Sequence, residues 1–386
     1  MLNTNMSKIQ KLIEKHEKLR SKGINLIASE NYLSVNVKNA LATDLAGRYH
    51  TGWYGGSKFA QEIIKKTEEL ARKLFKVKYA IVTAVSGNIC DLAAIFAFTN
   101  PNDKVAMLPF SVGGYPLGIH KFNRRRVDIP VNKKNLEINV KATLRMIKKE
   151  KVKLTILGSS FIPFPHPVKK ISVAIKKFSF PTHCVYDGSH IMGLIACGEF
   201  QNPLAEGAEV LFGSTHKTLY GPQGGIVLTN SRKHYELLNE YLAMDLNEGI
   251  GLIDNPHTNR IAALGIAMEE MLKDKGYGKR VMKNARTLAQ ALDESGVPVK
   301  FKERGYTNSH QILLDLIPKK AEKLCHTLEK VGIFIDIGGR LGTAEITHRG
   351  MNSEAIKKLA KLIAGVYHNK TNVNYKLKKQ VKAIVK

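Results

Sequence analysis

Tryptophan occurs once and cysteine four times in 386 residues, and Asp and Glu together number 33 against 60 Lys and Arg. The cysteines, Cys90, Cys184, Cys197 and Cys325, lack the paired short spacings of a metal-thiolate site, and three of them lie in apolar stretches. That excludes a disulfide-built scaffold and fits reduced thiols in a cytoplasm. No metal site is read from the sequence. No apolar run approaches the roughly 20 residues that cross a bilayer, and the opening MLNTNMSKIQKLIEKHEKL has no apolar signal-peptide core. The expectation is a cytoplasmic protein with no membrane partner. There is no internal repeat.

The shortage of acids leaves a net charge of +27, high enough to raise nucleic acid as a partner. The basic residues come as short pieces, such as Arg124-Arg125-Arg126, Lys169-Lys170 and Lys357-Lys358, mostly on polar helix faces and without interleaved aromatics. A solvated lysine-rich surface accounts for them, and nucleic acid is not an expected partner. With 44% hydrophobic residues the chain can bury a sizeable core in two or three domains.

The organising stretch is VLFGSTHKTLYGPQGGIVLT, Val210 to Thr229. Two apolar runs flank a glycine-rich turn, so it reads as strand, turn, strand. Lys217 stands just past the first strand among short side chains, where glycines let a bulky group approach. A lysine so placed is suited to forming an imine with an aldehyde cofactor. Thirty residues upstream, Cys184-Val185-Tyr186 reads as a strand ending at Asp187, with His190 three residues on. Acid, aromatic base and lysine on successive strand ends make the constellation of a pyridoxal phosphate site. The carboxylate would keep the pyridine nitrogen protonated, so that the ring accepts electrons left on a substrate α-carbon.

Around this core, strands are expected at 79–83, 105–108, 127–129, 154–157, 184–187, 210–212 and 226–228, alternating with helices at 61–75, 89–98 and 140–149. That order predicts an α/β fold with a mostly parallel, doubly wound sheet of about seven strands, whose ligands lie beyond the strands' carboxyl ends. Ser86, Tyr115, Ser160, Asp187 and Lys217 all fall at such ends. Ser86, Gly87 and Asn88 open a helix, whose N-terminal N–H groups suit a phosphate. The loop GRYHTGWYGGSKF gathers Tyr49, His50, Trp53 and Tyr54, a composition typical of binding surfaces. Three segments are expected: an N-terminal arm at 1–45, with an amphipathic helix that needs a surface to cover; a large cofactor-binding domain at 46–258; and connecting helices with a smaller α+β domain at 259–386. GGRLGT, containing Arg340, is expected as a turn, and the last eighteen residues as a basic helical tail.

From LIASEN at Leu26 through the Ser86-Gly87 turn, the Ser160 strand end, YDGSHIMGL, STHKTLYGPQGG and GGRLGTAEITHRG, the chain resembles serine hydroxymethyltransferases, pyridoxal phosphate enzymes of fold type I. The resemblance implies that Lys217 carries the cofactor, with Asp187 on the pyridine nitrogen and His190 beside it. It places Ser86, Gly87 and Asn88 on the phosphate, Tyr115 stacked on the ring, Ser160 at the phenolate side, and Thr215 and His216 in the cofactor turn. Ser29, Tyr49, Tyr54 and Arg340 would bind the amino-acid substrate, Arg340 by a bidentate fork. His50, Tyr54 and His190 are the candidates for moving the β-hydroxyl proton. The resemblance also implies a homodimer with shared active sites, the aromatic loop being donated across the interface.

Departures from the family pattern cluster at the one-carbon carrier. The family has Glu where Thr51 stands, an arginine where Gln223 stands, and a glycine-rich phosphate segment where Ile253-Asp254-Asn255-Pro256 stands; the loop between Ile333 and Gly338 is shortened. The reading is therefore an enzyme that makes or breaks the Cα–Cβ bond of a β-hydroxy amino acid, with its tetrahydropterin carrier site eroded. The alternatives are a pterin-independent aldolase or racemase on another amino acid, and a protein of the same fold that acts on or binds tRNA.

Overall fold

The computed structural model describes residues 6–245, 249–368 and 375–385. These described residues form two compact units, one falling within 32–279 and the other within 6–31 together with 280–385. In the first, strands β1 (Tyr79–Ile81), β2 (Lys104–Met107), β3 (Arg125–Asp128), β4 (Leu154–Leu157), β5 (His183–Asp187), β6 (Leu211–Ser214) and β7 (Gly225–Thr229) make one sheet in the order β1-β7-β6-β5-β4-β2-β3. All neighbours pair in parallel except β7, which is antiparallel to both β1 and β6. The reason lies in the connection: β6 and β7 are joined by Thr215–Gly224, too short for the dozen or so residues of a parallel crossover.

Burial follows position in the sheet. Central β4, LTIL, is buried at every residue, as expected of a strand covered on both faces. Edge strand β3, RRVD, is partly exposed along its length, and its charges discourage pairing with another chain. The helix Gly87–Phe98 is buried along most of its length and packs with Val105, Leu154, Ile156, Val185, Phe212 and Val227 into one core. Burying each such side chain contributes about 1.5–3 kcal/mol.

The second unit holds two short strand pairs, Ile24–Asn25 parallel to Ile333–Phe334 and Gln311–Leu313 antiparallel to Arg340–Gly342. Its core joins Leu288, Leu292, Ile312, Leu328, Leu341, Leu359 and Ile363. The expected boundaries at 45 and 258 differ from this division. Helix Thr258–Lys273 stays with the sheet unit, where Thr67 donates to Ile261 O at 3.3 Å and Gly265 leaves room for Thr67. Residues 24–25 instead add a strand to the C-terminal unit.

Smaller differences concern element ends. The expected turn at GGRLGT turns only at its glycines, Gly339 having φ +71°, and Arg340 already begins a strand. Within the arm a second helix spans Val35–Leu41, and a 3-10 turn follows at Asp44–Gly47. Helices Val168–Ile175 and Arg232–Leu242 were not singled out in the sequence. In the N-terminal helix Lys8–Ser21, capped by a Ser7/Gln10 box, Ile9, Leu12, Ile13 and Leu19 are exposed. Of the basic tail, Tyr375–Val385 is helical and the residues before it lie outside those described.

Candidate functional site

The sheet's topology sets the site. Strands β1, β2, β4, β5 and β6 point the same way, so the segments leaving their carboxyl ends converge on a cavity of about 250 Å3. Ser86, Gly87, Asn88, Tyr115, Ser160, Asp187, His190, His216 and Lys217 all line it. Five separate stretches of sequence thus deliver nine of the residues expected there to one place.

Each is fixed by its local structure. Ser86 caps the helix Gly87–Phe98, its hydroxyl accepting from Ile89 N at 3.3 Å. The first N–H groups of a helix have no intrahelical acceptor, and here they open on the cavity. Tyr115 donates to Asn88 Oδ1 at 3.2 Å, and burial followed by the nearby Asp91 and Asp187 pushes its phenol up. Asp187, the last residue of β5, accepts from Ser189 N at 2.8 Å through Oδ1. Ser189 Oγ in turn accepts from Ser214 N at 3.0 Å, so the acid's turn is pinned to the next strand.

The lysine turn is tightly braced. Thr218 Oγ1 accepts from Gly193 N at 3.0 Å and donates to His190 O at the same distance. A Cβ on Gly193 would lie 2.1 Å from Thr218 O, so only glycine permits this approach. Tyr220 holds the left-handed region at φ +48°, uncommon for a bulky residue, and its ring packs edge-on against Tyr277 with centroids 5.0 Å apart. Thr215 is fully buried and does not line the cavity; its hydroxyl donates to Pro222 O at 2.6 Å and closes the turn. Burial, with Lys217 next to it, lowers the His216 imidazole to about 4, and its Nδ1 is buried without a partner.

Sequence reasoning missed Asp91, Ser189 and Ser214, which also line the cavity. Asp91 is 2% exposed and its Oδ1 is buried without a partner. Burial first, then the charge of Asp187, raises its carboxyl well above the usual range. The sequence marks it only as an acid one turn into the largely apolar helix SGNICDLAAIFAF.

The aromatic loop is placed elsewhere. Tyr49 and Tyr54 stack with centroids 4.4 Å apart, and Trp53 is 75% exposed. None of Tyr49, His50 and Tyr54 lines the cavity of its own chain. His50 Nδ1 and Thr51 Oγ1 are buried without partners, and burial lowers the His50 imidazole.

Ser29 and Arg340 belong to the other unit. There Gly342 N donates to Leu26 O at 2.7 Å, which lays the segment leading to Ser29 beside the Arg340 strand. Arg340 is 9% exposed, and its Nε donates to Asp336 Oδ2 at 2.8 Å. Asp336 Oδ1 accepts from Arg340 N at 3.1 Å, so one carboxylate orients both backbone and guanidinium. Glu30 is engaged by Arg20 and by Asn25 Nδ2.

The donor set fits pyridoxal phosphate. A helix start and clustered hydroxyls suit its phosphate, Asp187 suits its ring nitrogen and Lys217 its aldehyde, and two of the lining residues, Asp91 and His216, each keep a buried side-chain atom without a partner, Oδ1 and Nδ1. The serine hydroxymethyltransferase profile matches residues 2–363. The chain belongs to the serine hydroxymethyltransferase family. It is 36% identical over 394 residues to the serine hydroxymethyltransferase of Korarchaeum cryptofilum, covering 92% of this chain and 89% of that one. Against the Pyrococcus abyssi serine hydroxymethyltransferase the identity is again 36%, covering 94% and 91%. The fold is also similar to that of L-threonine transaldolase from Pseudomonas fluorescens, with a TM-score of 0.89 and 27% identity over 98% of this chain and 90% of that one. The protein is thus a fold-type I, pyridoxal phosphate-dependent enzyme of the hydroxymethyltransferase and aldolase type. Among the described residues no helix is long and apolar enough to cross a membrane.

Proposed function

We propose that this member of the serine hydroxymethyltransferase family cleaves and forms the Cα–Cβ bond of β-hydroxy amino acids with little dependence on a tetrahydropterin carrier. The observation that carries this is Thr51, which stands where the family has an acid and whose hydroxyl is buried without a partner. An unperturbed hydroxyl is no base near neutral pH. Glu30, the nearest acid in sequence to the carboxylate-binding Ser29, is engaged by Arg20 and Asn25, and the shortened 333–338 segment reduces the wall that would hold a carrier. The relative named for threonine supports a β-hydroxy amino acid as substrate.

In this reading Ser86, Gly87 and Asn88 hold the cofactor phosphate, Asp187 its pyridine nitrogen, and Ser160 its phenolate side. Tyr115 stacks on the ring. The cofactor supplies an electron sink for the α-carbon. Arg340, oriented by Asp336, grips the substrate carboxylate with Ser29. The β-hydroxyl proton goes to His190 or to His50; lowered by burial, the His50 imidazole is neutral near pH 7 and able to accept it. Because the aromatic loop does not line its own cavity, a second copy in a homodimer supplies Tyr49, His50 and Tyr54. Four free thiols suit a reducing, cytoplasmic setting.

The test is to follow aldehyde release from a β-hydroxy amino acid, and serine-to-glycine conversion, with and without a tetrahydropterin. Carrier-independent cleavage with weak pterin stimulation is expected. Strong acceleration of serine conversion by the pterin, with no further gain in Thr51→Glu, would restore the ordinary hydroxymethyltransferase reading.

A further inference from the structure

At the opposite ends of the strands from the cofactor cavity, three side chains that play no part in the chemistry above converge. His183 is the first residue of β5, Glu209 lies just before β6, and His234 sits in the first turn of helix Arg232–Leu242. Glu209 Oε2 lies 2.7 Å from His183 Nδ1 and 3.2 Å from His234 Nε2. One donor atom from each of the three lies within 4.8 Å of the other two.

We propose that His183, Glu209 and His234 bind a divalent transition ion of the zinc class. Two imidazoles and a carboxylate are a recurring three-ligand set for such ions. Bonds of about 2.0–2.2 Å at tetrahedral or octahedral angles hold ligand atoms roughly 3.0–3.5 Å apart, so the two Glu209 spacings lie within a few tenths of an ångström of that range, and the two imidazoles, within 4.8 Å of each other, turn toward a shared ion. The site is also built on rigid parts. Glu209 N donates to Cys184 O at 2.9 Å, and Thr229 Oγ1 donates to Glu209 O at 2.8 Å. His234 N donates to the capping Ser231 Oγ at 3.3 Å. Phe98 floors the cluster, its ring centroid 4.7 Å from that of His183 and 5.4 Å from that of His234. The side chains keep 16% to 32% of their surface exposed, which leaves an entry path and a position for water. Four residues of strand separate His183 from Asp187, or about 13 Å, so the ion ties β5, β6 and the helix together and does not touch the reacting atoms.

The test uses the cofactor-loaded enzyme after chelator treatment. Titration with Co2+ is followed by ligand-field absorption, and Zn2+ by equilibrium dialysis. Expected is one equivalent of Zn2+ that competes with Co2+, retained in Lys217→Arg, and weakened in Glu209→Gln and in His234→Gln by more than the roughly 10- to 100-fold that loss of an outer partner costs. Chelation should lower the thermal midpoint of the wild-type protein and leave that of Glu209→Gln unchanged. Failure of the wild-type protein to bind Co2+ would overturn the site whatever the variants do. So would binding that survives Glu209→Gln, or binding lost in Lys217→Arg, which would mark the cofactor cavity as the binder.

Discussion

The Thr218 hydroxyl donates to the carbonyl of His190 at 3.0 Å, joining the residue after the lysine to the turn that follows the acid. The same oxygen accepts from Gly193 N. Thr218→Val keeps the shape and removes both of these hydrogen bonds, which should cost about 1–3 kcal/mol in urea unfolding. Thr218→Ser should restore most of it. A Val variant as stable as the wild type would show that the two turns are not braced through this hydroxyl.

Borohydride reduction of the holoenzyme should fix the cofactor on Lys217 alone, read by peptide mapping. Lys217→Arg should take up no covalent label. Labelling at another lysine would refute the assignment of the turn.

Arg340→Ala should raise the KM for the amino acid about 10- to 150-fold, the loss of a charge-assisted bidentate pair of roughly 1.5–3 kcal/mol, and leave cofactor affinity nearly unchanged. Arg340→Lys should recover only part, since lysine lacks the fork. Asp336→Asn should have a smaller effect in the same direction, because it loosens the guanidinium that Asp336 orients. Equal losses for cofactor and substrate would make Arg340 structural.

Asp91 gives a pH prediction for the apoprotein. Its folded-state carboxyl is raised by burial, so above the unfolded value of about 3.9 the native state binds more protons than the unfolded one. Stability contributed by this group therefore falls as pH rises through that window. Asp91→Asn removes the ionisation and should stabilise the apoprotein near pH 7–8. Unchanged pH dependence in the Asn variant would show that Asp91 is already ionised in the native state.

His166 acts with the opposite slope. Burial holds its imidazole down to about 4, with Nδ1 accepting from Gly158 N at 3.2 Å. Between about 6.5 and 4 the unfolded chain binds the extra proton, so stability is lost as pH falls, by about 1.4 kcal/mol per pH unit. His166→Asn keeps an acceptor near Gly158 and should flatten that part of the acid limb in a denaturant titration against pH.

The sheet was legible because most of its β-rich runs are separated by helical periods or glycine-rich turns, and the cavity because its lining residues follow strand ends: Asp187 and Lys217, which line it, were singled out from local sequence alone. The helix Arg232–Leu242 was less so, although Ser231 caps it and Leu238 and Leu242 are its buried contacts. Domain membership was not legible. Only the finished pairing of Ile24 with Ile333, more than three hundred residues apart, shows that the N-terminus completes the C-terminal unit. Nor could sequence show Asp91 buried among the site's charges, since an acid in an apolar helix reads equally as a cap or a face residue.

The glycine at 193 leaves no space for even a methyl group against Thr218 O. The acid's turn and the lysine's turn are consequently geared together, and neither can be re-cut for a different substrate without stripping the other. In the proposed reading, variation in what the enzyme accepts enters through pieces outside the gear: the aromatic loop at 48–57 and the short segment at 333–338. Engineering libraries aimed at those two segments should yield new specificities, whereas libraries spread over 187–193 and 215–221 should yield mainly misfolded chains.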